Sequence, residues 1–304
     1  MSDFVHSFWS HYIAWITLAG ILACVVLLWL TSRKKLSGSA DNTTGHVWDE
    51  DLREMNNPLP LWWVGMFVIT IVFALFYLTL YPGLGSSEGS LAWTSQNQYQ
   101  QEVDQANADV APLYARFDAM DAEQVALDPK ARQMGEHLFL NNCAQCHGSD
   151  ARGTKGFPNL TDGDWLYGGS PEQIRTSITQ GRQGHMPPMA AAVGAPDDVK
   201  NLAHHVLSLS GSPHDSLRAA LGKGKFGACA ACHGTDAKGN QALGTPNLTD
   251  KVWLHGWGEE AIVAMVTHGK LNQMPAQEGR LTPSQIHVLS AYVWGLSQPA
   301  TPKP

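Results

Sequence analysis

The sequence predicts a mainly helical protein in which a hairpin of two membrane-crossing helices precedes two copies of one small domain. Three observations carry this. Two uncharged apolar runs, residues 13–30 and 61–80, lie in the first part of the chain. The pattern Cys-x-x-Cys-His occurs twice, at Cys143-Ala144-Gln145-Cys146-His147 and Cys229-Ala230-Ala231-Cys232-His233. The residues that follow the first pattern reappear after the second.

The apolar runs have 18 and 20 residues, near the roughly 20 that carry a helix across a bilayer. Trp9, Trp15 and Trp29 bracket the first; Trp62, Trp63, Tyr77 and Tyr81 bracket the second, as interfacial anchors do. The expected spans are about 10–31 and 61–81. A signal peptide is the rival for the first, but residues 1–12 have no Lys or Arg and no Ala-x-Ala-like site follows the run. Arg33, Lys34, Lys35 and Arg53 lie between the spans, which puts that loop in the cytoplasm and both chain ends outside. Neither span holds Asp, Glu, Lys or Arg. Proton paths normally need such groups, so the expected traffic is electrons.

The Cys-x-x-Cys-His pattern is the attachment site of a c-type haem. On a helix the two Cys and the His lie near one face. The thiols add to the haem vinyl groups, and His147 or His233 reaches the iron from the same side. Two covalent haem c groups are therefore expected, on Cys143 and Cys146 and on Cys229 and Cys232. A redox dithiol or half a zinc site would not require His to follow each pair.

Comparing the copies locates the second iron ligand. Pro158-Asn159-Leu160-Thr161-Asp162 matches Pro246-Asn247-Leu248-Thr249-Asp250; Trp165-Leu166 matches Trp253-Leu254; Met186-Pro187 matches Met274-Pro275. This is a tandem duplication of one haem domain. Met186 and Met274 are the expected sixth ligands, since a thioether raises the reduction potential and closes the site to small molecules. Met189 and Met265 compete but lack counterparts. Each Met is expected to serve the haem of its own copy; the alternative is that two packed, duplicated domains exchange their Met-bearing loops. Pro158 and Pro246 fall where small cytochromes c offer a carbonyl to the proximal His. Trp165 and Trp253 are expected pocket residues, as propionate donors or as walls. His185, His204, His205, His214, His255, His268 and His287 have no repeated position and are expected to be structural or surface residues.

The layout is a membrane anchor over residues 1–82, a partly helical connector over 83–128, two class I cytochrome c domains over 129–212 and 213–298, and a tail over 299–304. Residues 131–142 and 196–209 are the expected N- and C-terminal helices of the first domain; 214–230 and 283–296 repeat those roles in the second. Four of the five Cys belong to the motifs, and Cys24, inside the first span, is a small apolar residue. From Pro82 onward 21 Asp plus Glu face 16 Lys plus Arg. That balance suits a basic soluble partner and argues against nucleic acid.

The whole pattern resembles the dihaem subunit, subunit III, of cbb3-type cytochrome c oxidases. The resemblance rests on the two spans, the basic loop and the tandem haem motifs. It rests most specifically on Asn57-Pro58-Leu59-Pro60-Leu61-Trp62-Trp63 and Leu75-Phe76-Tyr77-Leu78-Thr79-Leu80-Tyr81-Pro82-Gly83. It implies a non-catalytic electron-transfer subunit of an oxidase in the bacterial inner membrane, with both termini and the haem domains periplasmic. Electrons would come from a soluble c-type cytochrome and pass to a monohaem subunit and then a haem–copper site. The first span resembles an extra helix that some members lack. The alternative is a membrane-anchored dihaem carrier serving another dehydrogenase or a bc-type complex; a dihaem peroxidase needs an open iron position, which two Met-Pro motifs argue against. The order of electron flow expected is second haem first, then the first haem.

Overall fold

The computed structural model describes residues 6–32, 42–55 and 57–298. The basic cluster at 33–35 and the Pro-rich tail at 299–304 lie outside the described residues. The chain divides into two units, one up to Ala106 and one from Asn107 on.

In the first unit, helix α1 (Ser7–Ser32) and helix α2 (Leu61–Leu80) contain the two apolar runs. Both are long and apolar enough to cross a membrane, and neither has a buried residue. Pro82 and Gly83 follow α2, and residues that cannot continue a helix end it there. The Ser86 backbone N–H donates to Ser10 Oγ at 2.7 Å. Ser10 sits near the start of α1 and Ser86 just past the end of α2, so the two helices run antiparallel. Between them β1 (Thr43–Trp48) and β2 (Leu52–Met55) form an antiparallel hairpin, where the sequence suggested only a polar loop. Asp49 and Glu50, both at positive φ, make its turn.

Helix α3 (Ser95–Ala115) runs from the first unit into the second. The second unit continues with α4 (Ala122–Leu127), α5 (Pro129–Asn142), α6 (Ala144–His147) and α7 (Pro171–Gln180), then strand β3 (Arg182–Met186). After it come α8 (Ala190–Val193), α9 (Pro196–Leu209), α10 (Ser216–Gly222), α11 (Gly227–His233) and α12 (Glu259–His268), then β4 (Lys270–Met274) and α13 (Pro283–Leu296). The starts are written in the sequence: Asp128, Ser170, Asp215 and Thr282 cap α5, α7, α10 and α13 with their side chains.

The cores do not follow the expected boundary at 212/213. One core joins Phe139, Ala151, Ile174 and Ile178 to Leu281, Ile286, Leu289 and Val293. Phe117, Val125 and Ala131 extend it onto Val288 and Ala291. The other core runs without interruption from Met186 through Val199, Leu202, Val206, Phe226 and Ile262 to Val266. So the first lobe is built from two pieces of chain, and the second lobe is a continuous stretch inserted between them. Helix α9, expected to close the first copy, packs on α10; α13, expected to close the second, packs on α5. Glycines sit at both contacts: Gly135 lies against Tyr292 and the Val288 carbonyl, and Gly222 against the backbone of Asn201 and Leu202. A side chain at either position would hold the helices apart.

The physical reason is connection length. Six residues separate α9 from α10, and short helix–helix connections make antiparallel neighbours. Once α9 has packed on α10, α5 has to find its partner elsewhere, and α13 carries an apolar face of the same kind. The connector also ends earlier than expected. Phe117 and Val125, placed in it by sequence, are fully buried in the first lobe, each burial being worth about 1.5–3 kcal/mol.

The exchange crosses at a two-stranded ribbon. Strands β3 and β4 are antiparallel, with Arg182 opposite Met274, Gly184 opposite Asn272 and Met186 opposite Lys270. Each strand begins just after the glycine that ends a helix, Gly181 after α7 and Gly269 after α12.

Candidate haem sites

Both Cys-x-x-Cys-His segments are helical and end on the His, where Gly148 and Gly234 turn the chain away at positive φ. The loops that follow are copies of one geometry. The Gly153 N–H donates to the His147 carbonyl at 2.8 Å, and the Gly239 N–H to that of His233 at 2.8 Å. The Leu160 N–H donates to the Ala151 carbonyl and the Leu248 N–H to that of Ala237, both at 2.8 Å. Asn159 and Asn247 brace the loops by accepting from Thr161 and Thr249.

These loops fix the proximal imidazoles. His147 Nδ1 lies 3.0 Å from the Pro158 carbonyl oxygen, and His233 Nδ1 lies 3.1 Å from that of Pro246. A carbonyl only accepts, so Nδ1 carries the proton and Nε2 is left with a free lone pair. Both rings are buried. Burial holds each His below its ordinary pKa against the opposing pull of the proline carbonyl. The neutral ring, which is the ligating form, is therefore the favoured one. Cys143 and Cys229 are half-buried at the edges of their cores. Burial, and secondarily the neighbouring Cys146, pushes the free Cys143 thiol up to about 11.

The two Met residues are found in the lobes opposite to those expected. Met274 packs on the first core beside Cys143, Leu160 and Trp165. Met186 packs on the second beside Cys229, Leu248 and Trp253, with Met189 next to it. The ribbon carries each strand's end across, so each Met packs on the core of the other copy. Trp165 and Trp253 do stay with the Cys pairs of their own copies.

Several residues at this crossing were not expected there from the sequence, which had His255 as a structural or surface residue. Tyr167 and His255 occupy equivalent positions, each two residues after the repeated Trp. Arg182 stacks over the Tyr167 ring at 4.8 Å and donates from Nε to Ser177 Oγ at 2.9 Å. His255 Nε2 accepts from Asn272 Nδ2 at 3.0 Å. The lobes also touch through the Gly156 N–H, which donates to the Leu254 carbonyl at 2.7 Å, and Gln241 Nε2, which donates to the Trp165 carbonyl at 3.2 Å. The shared offset of Tyr167 and His255 after Trp-Leu was the signal available. Of the other single His residues, His204 meets Glu259 at 3.1 Å, His214 the Ser212 carbonyl at 2.8 Å and His287 the Met120 carbonyl at 3.0 Å, while His185 and His268 are exposed.

The residues fit a haem. Each lobe offers a Cys pair, an imidazole with Nε2 free and a thioether against one apolar core. The Tyr167 hydroxyl is buried with no hydrogen-bond partner among the described residues, and a polar group belonging to a cofactor would satisfy it.

Comparison with known proteins agrees. Residues 130–206 and 219–293 match the family model described as cytochrome c oxidase, cbb3-type, subunit III. Residues 40–88 match the N-terminal domain of cytochrome oxidase-cbb3, FixP. The chain is 60% identical over 301 residues to the cbb3-type cytochrome c oxidase subunit CcoP of Rubrivivax gelatinosus, covering 99% of both. This chain belongs to the CcoP/FixP family. FixP subunits of the same oxidase type from a Bradyrhizobium strain and from Azorhizobium caulinodans are each 40% identical, over 86% and 83% of this chain and 96% and 92% of their own length. The two cytochrome c domains of a CcoP/FixP subunit mean two covalently bound haem c groups.

Proposed function

We propose that this chain is the electron-relay subunit of a cbb3-type cytochrome c oxidase. It takes electrons from a soluble c-type cytochrome and passes them to a monohaem subunit, which feeds the haem–copper site. Haem c, when bound, supplies a one-electron iron couple. The chain's own residues do the rest. Cys143, Cys146, Cys229 and Cys232 anchor the two groups. His147 and His233 would hold the iron through Nε2, each ring kept in one tautomer by the Pro158 or Pro246 carbonyl. Met186 and Met274 would supply thioether ligands, and iron so held would be closed to small ligands, which suits a carrier and not an oxygen-binding or peroxidatic site. Trp165 and Trp253 wall the pockets against water.

Helices α1 and α2 form the membrane hairpin, with residues 33–60 on the cytoplasmic side and both termini in the periplasm of the bacterial inner membrane. The antiparallel run implied by the Ser10–Ser86 contact supports a hairpin. The observation that carries the relay reading is the doubled proximal cage, two imidazoles oriented identically with a thioether on the same core. Membership of the oxidase family favours this reading over a free carrier serving another complex.

The test is kinetic. Oxidase purified with this chain should oxidise reduced soluble cytochrome c. Oxidase lacking it should lose that activity while keeping oxidation of a small-molecule donor that reaches the monohaem subunit directly. Undiminished cytochrome c oxidation without the chain would overturn the proposal.

A further inference from the structure

We infer that Gln277 sets the two haem sites apart: its buried amide oxygen lowers the reduction potential of the haem on Cys143 and Cys146, and the second lobe has no such group. This rests on the reading above that each lobe holds one haem c.

Gln277 and Met189 hold the same position in the two copies, three residues after Met274 and Met186. The backbone around them is also the same. The Gln277 N–H donates to the Ile178 carbonyl at 3.0 Å, and the Met189 N–H to that of Val266 at 2.8 Å. The Leu281 N–H donates to the Gln277 carbonyl at 2.9 Å, and the Val193 N–H to that of Met189 at 3.1 Å. Ile178 and Leu281 belong to the first core, Val266 and Val193 to the second. The two side chains therefore start from equivalent points, each beside one core. Met189 packs there on the same core as Cys229 and Trp253. Gln277 brings an amide to the matching place in the first lobe.

The orientation of that amide is fixed. Gln277 is 7% exposed, and its Nε2 donates to the Pro275 carbonyl at 3.1 Å. A carbonyl only accepts, so the NH2 end must face it. Oε1 is left as the free end, shut off from solvent and with no donor among the described residues. Buried polar groups are normally paired, and an amide oxygen without a donor is the bare negative end of a dipole. In a low-dielectric interior its field is little screened. Oxidation of a haem adds one positive charge. The oxygen favours that charge, so the oxidised form is stabilised and the potential falls. The thioether of Met189 carries no comparable dipole, and the haem on Cys229 and Cys232 is spared the shift. One duplicated sequence thus gives a relay of two unequal sites.

Redox titration of the full-length chain carrying both haems tests this. Gln277→Met gives the first lobe the residue of the second and should raise one of the two midpoint potentials. Met189→Gln makes the reverse exchange and should lower the other. Gln277→Leu should raise the same midpoint as Gln277→Met, and it decides the matter if that variant fails to accumulate. Gln277 variants that leave both midpoints in place, or lower one, would overturn the inference. Loss of thermal stability with unmoved midpoints is what a purely structural role for the Pro275 bond predicts, and it would overturn the inference in the same way. So would two exchanges that move the same midpoint. A parent chain with a single covalent haem would overturn the two-haem reading, and the inference with it.

Discussion

Met186 and Lys270 are direct partners at one end of the β3–β4 ribbon, so the strand that ends in one methionine lies beside the start of the strand that ends in the other. This register makes the second lobe an insertion within the first. A chain stopped after Gly211 therefore loses more than the second haem motif. It also loses β4, Met274 and α13, and with them Leu289 and Val293 from the first core. Removing one buried leucine costs about 2–5 kcal/mol, and here a whole helix goes. The truncated chain should carry no low-spin haem with sulfur–iron absorption. A well-folded His/Met monohaem product would show that the first repeat is self-sufficient. For the same reason truncation at 211 is unsuited to finding the order of the two haems in electron flow.

Gly181→Ala should destabilise the lobe that holds Cys143 even though Gly181 precedes Met186 in the chain. The left-handed backbone at φ +72° costs an alanine about 1 kcal/mol or more, and the new Cβ must displace the Met274 carbonyl. A loss of about 1–3 kcal/mol is expected. On warming, sulfur–iron absorption should be lost first from the His147 haem. Thermal loss confined to the His233 haem would contradict the packing.

Asp164 gives a pH prediction. Burial holds its carboxyl above the ordinary value, and the nearby Asp250 and Asp162 push it the same way. A raised acid favours the fold only while protonated. That contribution is full below the ordinary carboxylate pKa and is lost as pH rises through the raised value. At neutral pH the ionised group is therefore a burden, and Asp164→Asn should raise Tm by something of the order of 1–2 °C. The advantage should vanish in acid. A variant less stable than the parent at neutral pH would contradict the electrostatic account.

Topology is tested with a reporter active only in the periplasm. Inserted in the β1–β2 turn at Asp49–Glu50 it should be silent, and fused at the C-terminus it should be active. Activity at the turn would reverse the orientation and contradict attachment of haem c to the motifs beyond α2.

Much of this was legible in the sequence because the chemistry is local. Cys143 to His147 and Cys229 to His233 are contiguous patterns, the two apolar runs are read by length, and the extents of α9 and α13 follow from Pro at the helix start and apolar periodicity. Which helix packs on which was not legible. Helices α9 and α13 hold matching places in the two copies and both carry apolar residues at helical spacing, so the pattern alone does not mark the partner of either. The six-residue turn before α10 decides the matter, and it does so through chain geometry. The ribbon was hidden for a related reason: Arg182 to Met186 is short and polar and pairs only with its own repeat. The β1–β2 hairpin carries its signal in Val47, Trp48 and a turn-forming Asp49, which the basic residues around it obscured.

The central claim is that this chain works as a haem-bearing subunit of an oxidase. It is tested most directly by purifying the tagged full-length chain from native membranes and taking an inventory of haem, metal and subunits. The account predicts two covalent haem c groups on this chain, together with a monohaem c subunit, haem b and copper in fixed ratio. A preparation with two covalent haems but neither haem b nor copper would contradict it.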